Sequence, residues 1–164
     1  MSIKIFVTGG SFDKVYNEIK EELEFKETSL TKMLEIARCK AEFDIRTLMM
    51  IDSLKMTFAD RQSILENCLA TPEDKILITH GTSTMAETAK MLGDNKELTQ
   101  NKTVVLTGAM MPNSLVNSDS MFNLGTAVAF VQVLPPGVYI AMNGKVFDWY
   151  NVKKNEKIGV FETL

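Results

Sequence analysis

Five apolar runs separated by helix-period segments dominate this chain: IKIFV (3–7), EFDIRTLMMI (42–51), KILIT (75–79), KTVVLT (102–107) and VYIAM (138–142). Each run has a strand's length, and helices occupy most of the intervals. Strands joined through helices lie parallel, with right-handed crossovers. The runs are almost wholly apolar, as expected when both faces of a sheet are covered. The pattern predicts an α/β domain with a mostly parallel sheet between two helical layers.

Local signals place the helices. Ser29 reads as an N-cap, because Leu30, Met33, Leu34, Ala37 and Ala41 follow at helical spacing. Thr57 and Asp60 form a capping-box pattern that opens a helix toward Ala70, with Phe58, Ile64, Leu65, Cys68 and Leu69 on its inner side. Thr84 and Glu87 repeat the pattern for a helix reaching about Leu92, and a further helix runs from about Asp119 to Val133. "TPED" and "LPPG" break the chain, and the acidic stretch "NEIKEELEF" receives no assignment.

Bulk properties exclude several functions. A chain of 164 residues fits one domain, residues 1–164, with a sizeable core. The net charge of −3 and the lack of a basic run argue against a nucleic-acid partner. No apolar stretch approaches the roughly 20 residues that span a bilayer, so no membrane partner is expected. The start, "MSIKIFVTGG", lacks a small-residue cleavage site and is read as a strand. One histidine and two isolated cysteines, Cys39 and Cys68, supply no metal-site spacing. The expectation is a cytoplasmic protein without a metal, its cysteines serving as small hydrophobes.

The polar residues gather where the strands end. Strand one ends in Thr8-Gly9-Gly10-Ser11, and strand two in Asp52-Ser53. Strand three ends in Thr79-His80-Gly81-Thr82-Ser83-Thr84, strand four in Thr107-Gly108, and strand five in Asn143-Gly144-Lys145. Ligands of open parallel sheets bind beyond these carboxyl ends. Glycine permits a tight turn and also admits a reactant close to the backbone. A helix starting near Thr84 would offer free N–H groups to an anion or oxyanion. His80 is read as a backbone-bonded residue at the strand end, since no Ser-His-Asp pattern lies near it. "TGGSFD" matches neither common nucleotide-binding glycine pattern.

The segments "VTGGS", "LITHGTSTMAETA", "VVLTGAMMP" and "MNGKVFDWYNVKK" resemble the successive motifs of bacterial-type L-asparaginases. The resemblance covers nearly the whole chain and is similar to the amino-terminal domain of the two-domain enzymes. It is closer still to short-chain, single-domain asparaginases. It implies a three-layer, flavodoxin-like or Rossmann-like fold and hydrolysis of a small amide without a cofactor. It also implies assembly into a homodimer or homotetramer. By the same resemblance Ser11 takes the place of the nucleophile and Thr82 that of a second hydroxyl. Lys154 supports Thr82, and Ser53 helps to hold the substrate carboxylate. Tyr16 is the nearest candidate to activate the first hydroxyl. Gly10, Gly81 and Ser83 complete the binding turns. Such chemistry needs a base for Ser11 and a polarised carbonyl. Lys154 acts as a base only where its surroundings discharge it.

Three departures from the family pattern bear on function. The family nucleophile is threonine, and serine here loses the methyl that restricts the rotamer. Ser83 stands where the family has an aspartate that pairs with the substrate ammonium. Leu54 replaces a glutamine, and an acidic residue from a second domain has no counterpart. Asp13, Asp52 and Asp119 are candidates to compensate. Loss of the aspartate is also expected to favour a neutral Lys154. The resulting expectation is an amidohydrolase, weak on L-asparagine. The alternative is a binding protein for an amino acid or amide on the same scaffold. A third reading, an interaction subunit, rests on the methionine clusters "LMMIDSLKM" and "GAMMP".

Overall fold

The computed structural model describes residues 1–164. Strand β1 (Ser2–Gly9) is followed by the hairpin strands β2 (Lys14–Asn17) and β3 (Glu22–Phe25), then helix α1 (Leu30–Ile36) and strand β4 (Glu42–Ile51). Helix α2 (Phe58–Ala70), strand β5 (Lys75–Thr79), helices α3 (Met85–Gly93) and α4 (Lys96–Asn101) and strand β6 (Thr103–Thr107) come next. Helix α5 (Ser120–Val133), strands β7 (Gly137–Met142) and β8 (Lys145–Asp148), and the hairpin β9 (Lys153–Asn155) with β10 (Val160–Glu162) complete the chain. The central sheet has the order β4-β1-β5-β6-β7-β8. All its neighbours are parallel except β7 and β8. The five strands expected from sequence are therefore arranged 2-1-3-4-5, the flavodoxin-like order.

Period-2 geometry explains why the inner runs are continuously apolar, while β4, expected to be covered on both faces, lies at the sheet edge and alternates exposed Glu42, Asp44 and Arg46 with half-buried Phe43 and Ile45. Ile76 and Ile78 face one layer, where they join Ile64 and Cys68 of α2, Met85 and Leu92 of α3, and Leu98 of α4. Leu77 between them faces the other, with Leu30 and Met33 of α1 and Leu124 and Val131 of α5. Adjacent residues of one strand thus anchor opposite layers.

Several local expectations are met and others are corrected. The α2 capping box is complete: Thr57 Oγ1 accepts from Asp60 N–H at 3.3 Å, and Asp60 Oδ2 accepts from Thr57 N–H at 2.7 Å. Phe58, expected inside, is 73% exposed; it is the first residue of α2, whose buried face is formed further along by Ile64, Leu65 and Cys68. Ser29 forms no side-chain cap; its hydroxyl turns to Met33 Sδ, and α1 stops at Ile36. Thr84 and Glu87 do not form a box. Thr84 Oγ1 donates to the Ser53 carbonyl, and Glu87 pairs with Arg61. The unassigned acidic stretch contributes to the β2–β3 hairpin. Asn143 and Gly144 both have positive φ, 57° and 73°, and form the two-residue turn into β8. The tip of the fifth strand is therefore a hairpin turn.

Candidate active site

In a 2-1-3-4-5 sheet the crevice opens where the chain leaves in opposite directions from two neighbouring strands. Here those strands are β1 and β5, whose ends carry Gly9–Ser11 and His80–Thr84. Gly9 and Gly10 adopt φ of 103° and 79°, conformations that favour glycine. Their second role is steric. A Cβ on Gly9 would lie 2.5 Å from Ile51 N, and one on Gly10 would collide with the backbone of Gly81. A Cβ on Gly81 would in turn strike Ser53 Oγ at 2.5 Å. Three loops touch here because two of the contact points lack side chains. Beyond Gly10, Ser11–Asp13 form a single 3-10 turn.

The fourth contribution comes from the end of the chain. Lys154 lies opposite Phe161 in the β9–β10 hairpin, and Phe161 is buried in the core. Lys153 and Glu162 lie on the other face and pair at 3.5 Å. Strand alternation thus selects Lys154, not Lys153, to point inward. Its ammonium donates to Thr82 Oγ1 at 3.1 Å, and its side chain is only 14% exposed. Phe161 N–H donates to Asn143 Oδ1 at 2.8 Å, which pins the hairpin to the β7–β8 turn.

The remaining sequence candidates take different positions. Ser53 is buried, and its Oγ accepts from Thr84 N–H at 3.4 Å, so it serves one of the free donors at the start of α3. Ser83 is exposed. Ser11 is half-buried and its hydroxyl makes no hydrogen bond within the chain. Tyr16 lies on β2, is 52% exposed and makes no hydrogen bond to Ser11. Two of the strand-tip threonines are internal braces, while the Thr79 hydroxyl is buried without a partner. Thr8 Oγ1 donates to Thr79 O at 2.7 Å, and Thr107 Oγ1 to Ala141 O at 2.9 Å. A concavity of about 600 Å³ is bordered by Lys26, Thr28, Thr47 and Met50 and includes none of the candidate residues. The hydroxyls instead line an open rim.

The acids considered as replacements for the missing aspartate are already engaged. Asp52 pairs with Lys14 at 2.7 Å, and that hydrogen bond leads the causes that lower its pKa. Asp119 accepts from Met110 N–H and Met111 N–H, each at 3.0 Å. Asp13 Oδ1 accepts from Thr28 Oγ1 at 2.8 Å, while Oδ2 is buried without a partner. Burial raises the Asp13 pKa, against the lowering effect of Thr28 and Ser29. The acid that does reach the lysine was not singled out from sequence. Glu156 Oε2 lies 3.3 Å from Lys154 Nζ. Its two-residue separation from Lys154 is the only sequence signal, and it depends on knowing that a turn begins there.

His80 is structural. It is fully buried, with Nδ1 2.8 Å from Gly81 O and Nε2 2.8 Å from Thr88 Oγ1. Burial pushes its pKa down to about 4, so the ring is neutral near pH 7. No group of three or more His, Cys, Asp or Glu side chains is placed to hold a metal ion.

Fold and rim together define a flavodoxin-like domain with a hydroxyl–lysine pair beside its topological switch point. The family model for the asparaginase amino-terminal domain matches residues 2–160, and the chain belongs to that family. It is 29% identical to an L-asparaginase of Thermococcus kodakarensis over 98% of this chain and 49% of that protein. It is 32% identical to L-asparaginase 2 of Escherichia coli over 97% of this chain and 48% of that protein. The solved thermostable L-asparaginase of T. kodakarensis superposes with a TM-score of 0.86 at 29% identity, covering 100% of this chain and 51% of that one. The chain spans about half the length of the curated relatives it matches.

Proposed function

We propose that the chain is an asparaginase-like amidohydrolase that cleaves the side-chain carboxamide of L-asparagine or a related small amide. The observation that carries this reading is the hydrogen bond of Lys154 to Thr82, on a loop whose Gly81 abuts Gly10 beside Ser11. Ser11 Oγ attacks the amide carbon while a base takes its proton, with Tyr16 the candidate on the neighbouring hairpin. Thr82, backed by Lys154, is the second hydroxyl and relays a proton to the leaving nitrogen. The C–N bond breaks, ammonia departs, and water then hydrolyses the Ser11 ester. Gly10 and Gly81 let the two loops close on each other and so bring Ser11 toward Thr82, while Ser53 and Ser83 border the substrate. Free N–H groups at the start of α3 suit a carboxylate or oxyanion. Relatives of this chain include proteins named L-asparaginase and glutaminase-asparaginase, which supports the substrate class.

Residues 1–164 are proposed to act as one catalytic unit, in the cytoplasm and as a homodimer or homotetramer. The free thiols of Cys39 and Cys68 support a reducing compartment. A solved neighbour described as a probable cytoplasmic L-asparaginase from Campylobacter jejuni, with a TM-score of 0.83 at 26% identity, agrees with it. Light scattering coupled to size-exclusion chromatography measures the assembly.

A second reading, an amide-binding protein, is favoured by two observations: Ser83 supplies no charge, and Ser11 has no internal proton acceptor. The test is ammonia release from asparagine, glutamine and simple amides. Release abolished by Ser11→Ala and by Thr82→Ala supports the enzyme. Thermal stabilisation by a ligand without release supports the binder. Ser83→Asp is expected to raise turnover of asparagine relative to amides lacking an α-ammonium.

A further inference from the structure

We propose that Glu156 is a positioning residue for Lys154, supplying from the β9–β10 turn the negative charge that Ser83 does not. The inference rests on the amidohydrolase reading above. Lys154 Nζ sits between two oxygens, Thr82 Oγ1 at 3.1 Å and Glu156 Oε2 at 3.3 Å. This is the only ion pair Lys154 makes. The other charges of the hairpin are directed elsewhere: Glu162 bonds Lys153 and Asn155 on the opposite face. On the α3 side, Glu87 is held by Arg61, and on the β1 side Asp13 is tied to Thr28 and Ser29. The turn fixes where Glu156 stands. Gly159 N–H donates to Asn155 O at 2.9 Å with φ of 65° at Gly159, and Lys157 N–H donates to Asn155 Oδ1 at 3.1 Å.

A carboxylate beside an ammonium makes a charge-assisted contact that orients it. Lys154 is thereby held as a donor to Thr82, and Thr82 keeps its own proton free to donate outward. The carboxylate is 68% exposed, so the pair adds little to folding and its removal leaves the fold intact.

The experiment compares wild type, Glu156→Gln and Glu156→Asp. Two readouts are taken: kcat and KM for ammonia release, and the side-chain NMR signal of Lys154 at one fixed pH. Glu156→Gln is expected to lower kcat up to about fivefold with KM little changed, and to move the Lys154 side-chain signal. Glu156→Asp should restore both at least in part, and Glu162→Gln should leave both in place. A Lys154 signal unchanged in Glu156→Gln overturns the proposal. If no variant releases ammonia the amidohydrolase reading fails, and the NMR signal still decides whether Glu156 holds Lys154.

Discussion

Acid sensitivity is expected to arise largely at His80, whose surroundings are built for a neutral ring. Arg61 Nε–H donates to Thr88 Oγ1 at 3.1 Å, so the Thr88 proton is free to go to His80 Nε2. The ring then carries its proton on Nδ1 and donates it to Gly81 O. Burial is the main cause that lowers the pKa from 6.5 to about 4; the Gly81 bond opposes it and Arg61 reinforces it. The native state therefore binds fewer protons than the unfolded chain. Stability falls as pH drops below 6.5 and the loss is complete below about 4. A shift of this size corresponds to about 3 kcal/mol, at about 1.4 kcal/mol per pH unit. Urea unfolding of wild type and His80→Gln across this range isolates the effect, because the glutamine does not titrate. The wild-type advantage should shrink by about 3 kcal/mol between pH 7 and pH 4. The chain has one histidine, so NMR follows its imidazole without ambiguity even if the variant does not fold. A native imidazole titrating near its ordinary value, with a pH-independent stability difference, would refute the reasoning.

Other outcomes follow from the same packing. Gly10→Ala should cost at least about 2 kcal/mol in denaturant melts, since its φ is 79° and its Cβ meets the Gly81 backbone. Gly125→Ala should instead stabilise by about 0.5–1 kcal/mol, because it lies inside α5 with nothing within 4 Å of the added carbon. Asp13 has a raised folded pKa, so its contribution to stability is largest at low pH and declines as pH rises above the ordinary carboxylate range. Asp13→Asn should remove that decline in pH-dependent urea melts. Cys68, buried with its thiol pushed up to about 12, should resist alkylation in the native state and react only on unfolding.

The inner strands were legible in the sequence because parallel strands covered on both faces are almost wholly apolar, whereas the edge strand β4 carries exposed Glu42, Asp44 and Arg46. Ile76, Leu77 and Ile78 carry that signal without ambiguity. The small elements were not legible. The β2–β3 and β9–β10 hairpins are short and rich in charge, so neither has a hydrophobic period to read. The Thr84-x-x-Glu87 pattern failed as a cap because Ser53, a loop away, takes both the Thr84 hydroxyl and its N–H. Local chemistry lost there to a tertiary contact. The family resemblance singles out Thr82 with Lys154, which do meet at 3.1 Å, whereas the strand-tip pattern alone gives no sign that Thr8 and Thr107 brace the sheet. Spacing alone does not separate those roles, since each lies at a strand tip. Glu156 was overlooked for a related reason: in "KKNEK" it looks like one more solvated charge until the hairpin turn returns it to Lys154.

Acyl transfer to the first rim loop is the most direct test of the functional account. Protein mixed with a hydrolysable amide is acid-quenched during turnover, digested and mapped by mass spectrometry. An acyl group on the peptide containing Ser11, lost in Ser11→Ala, is the predicted result. An adduct confined to the peptide containing Thr82, or ammonia release undiminished in Ser11→Ala, contradicts the assignment of the nucleophile and with it the proposed chemistry.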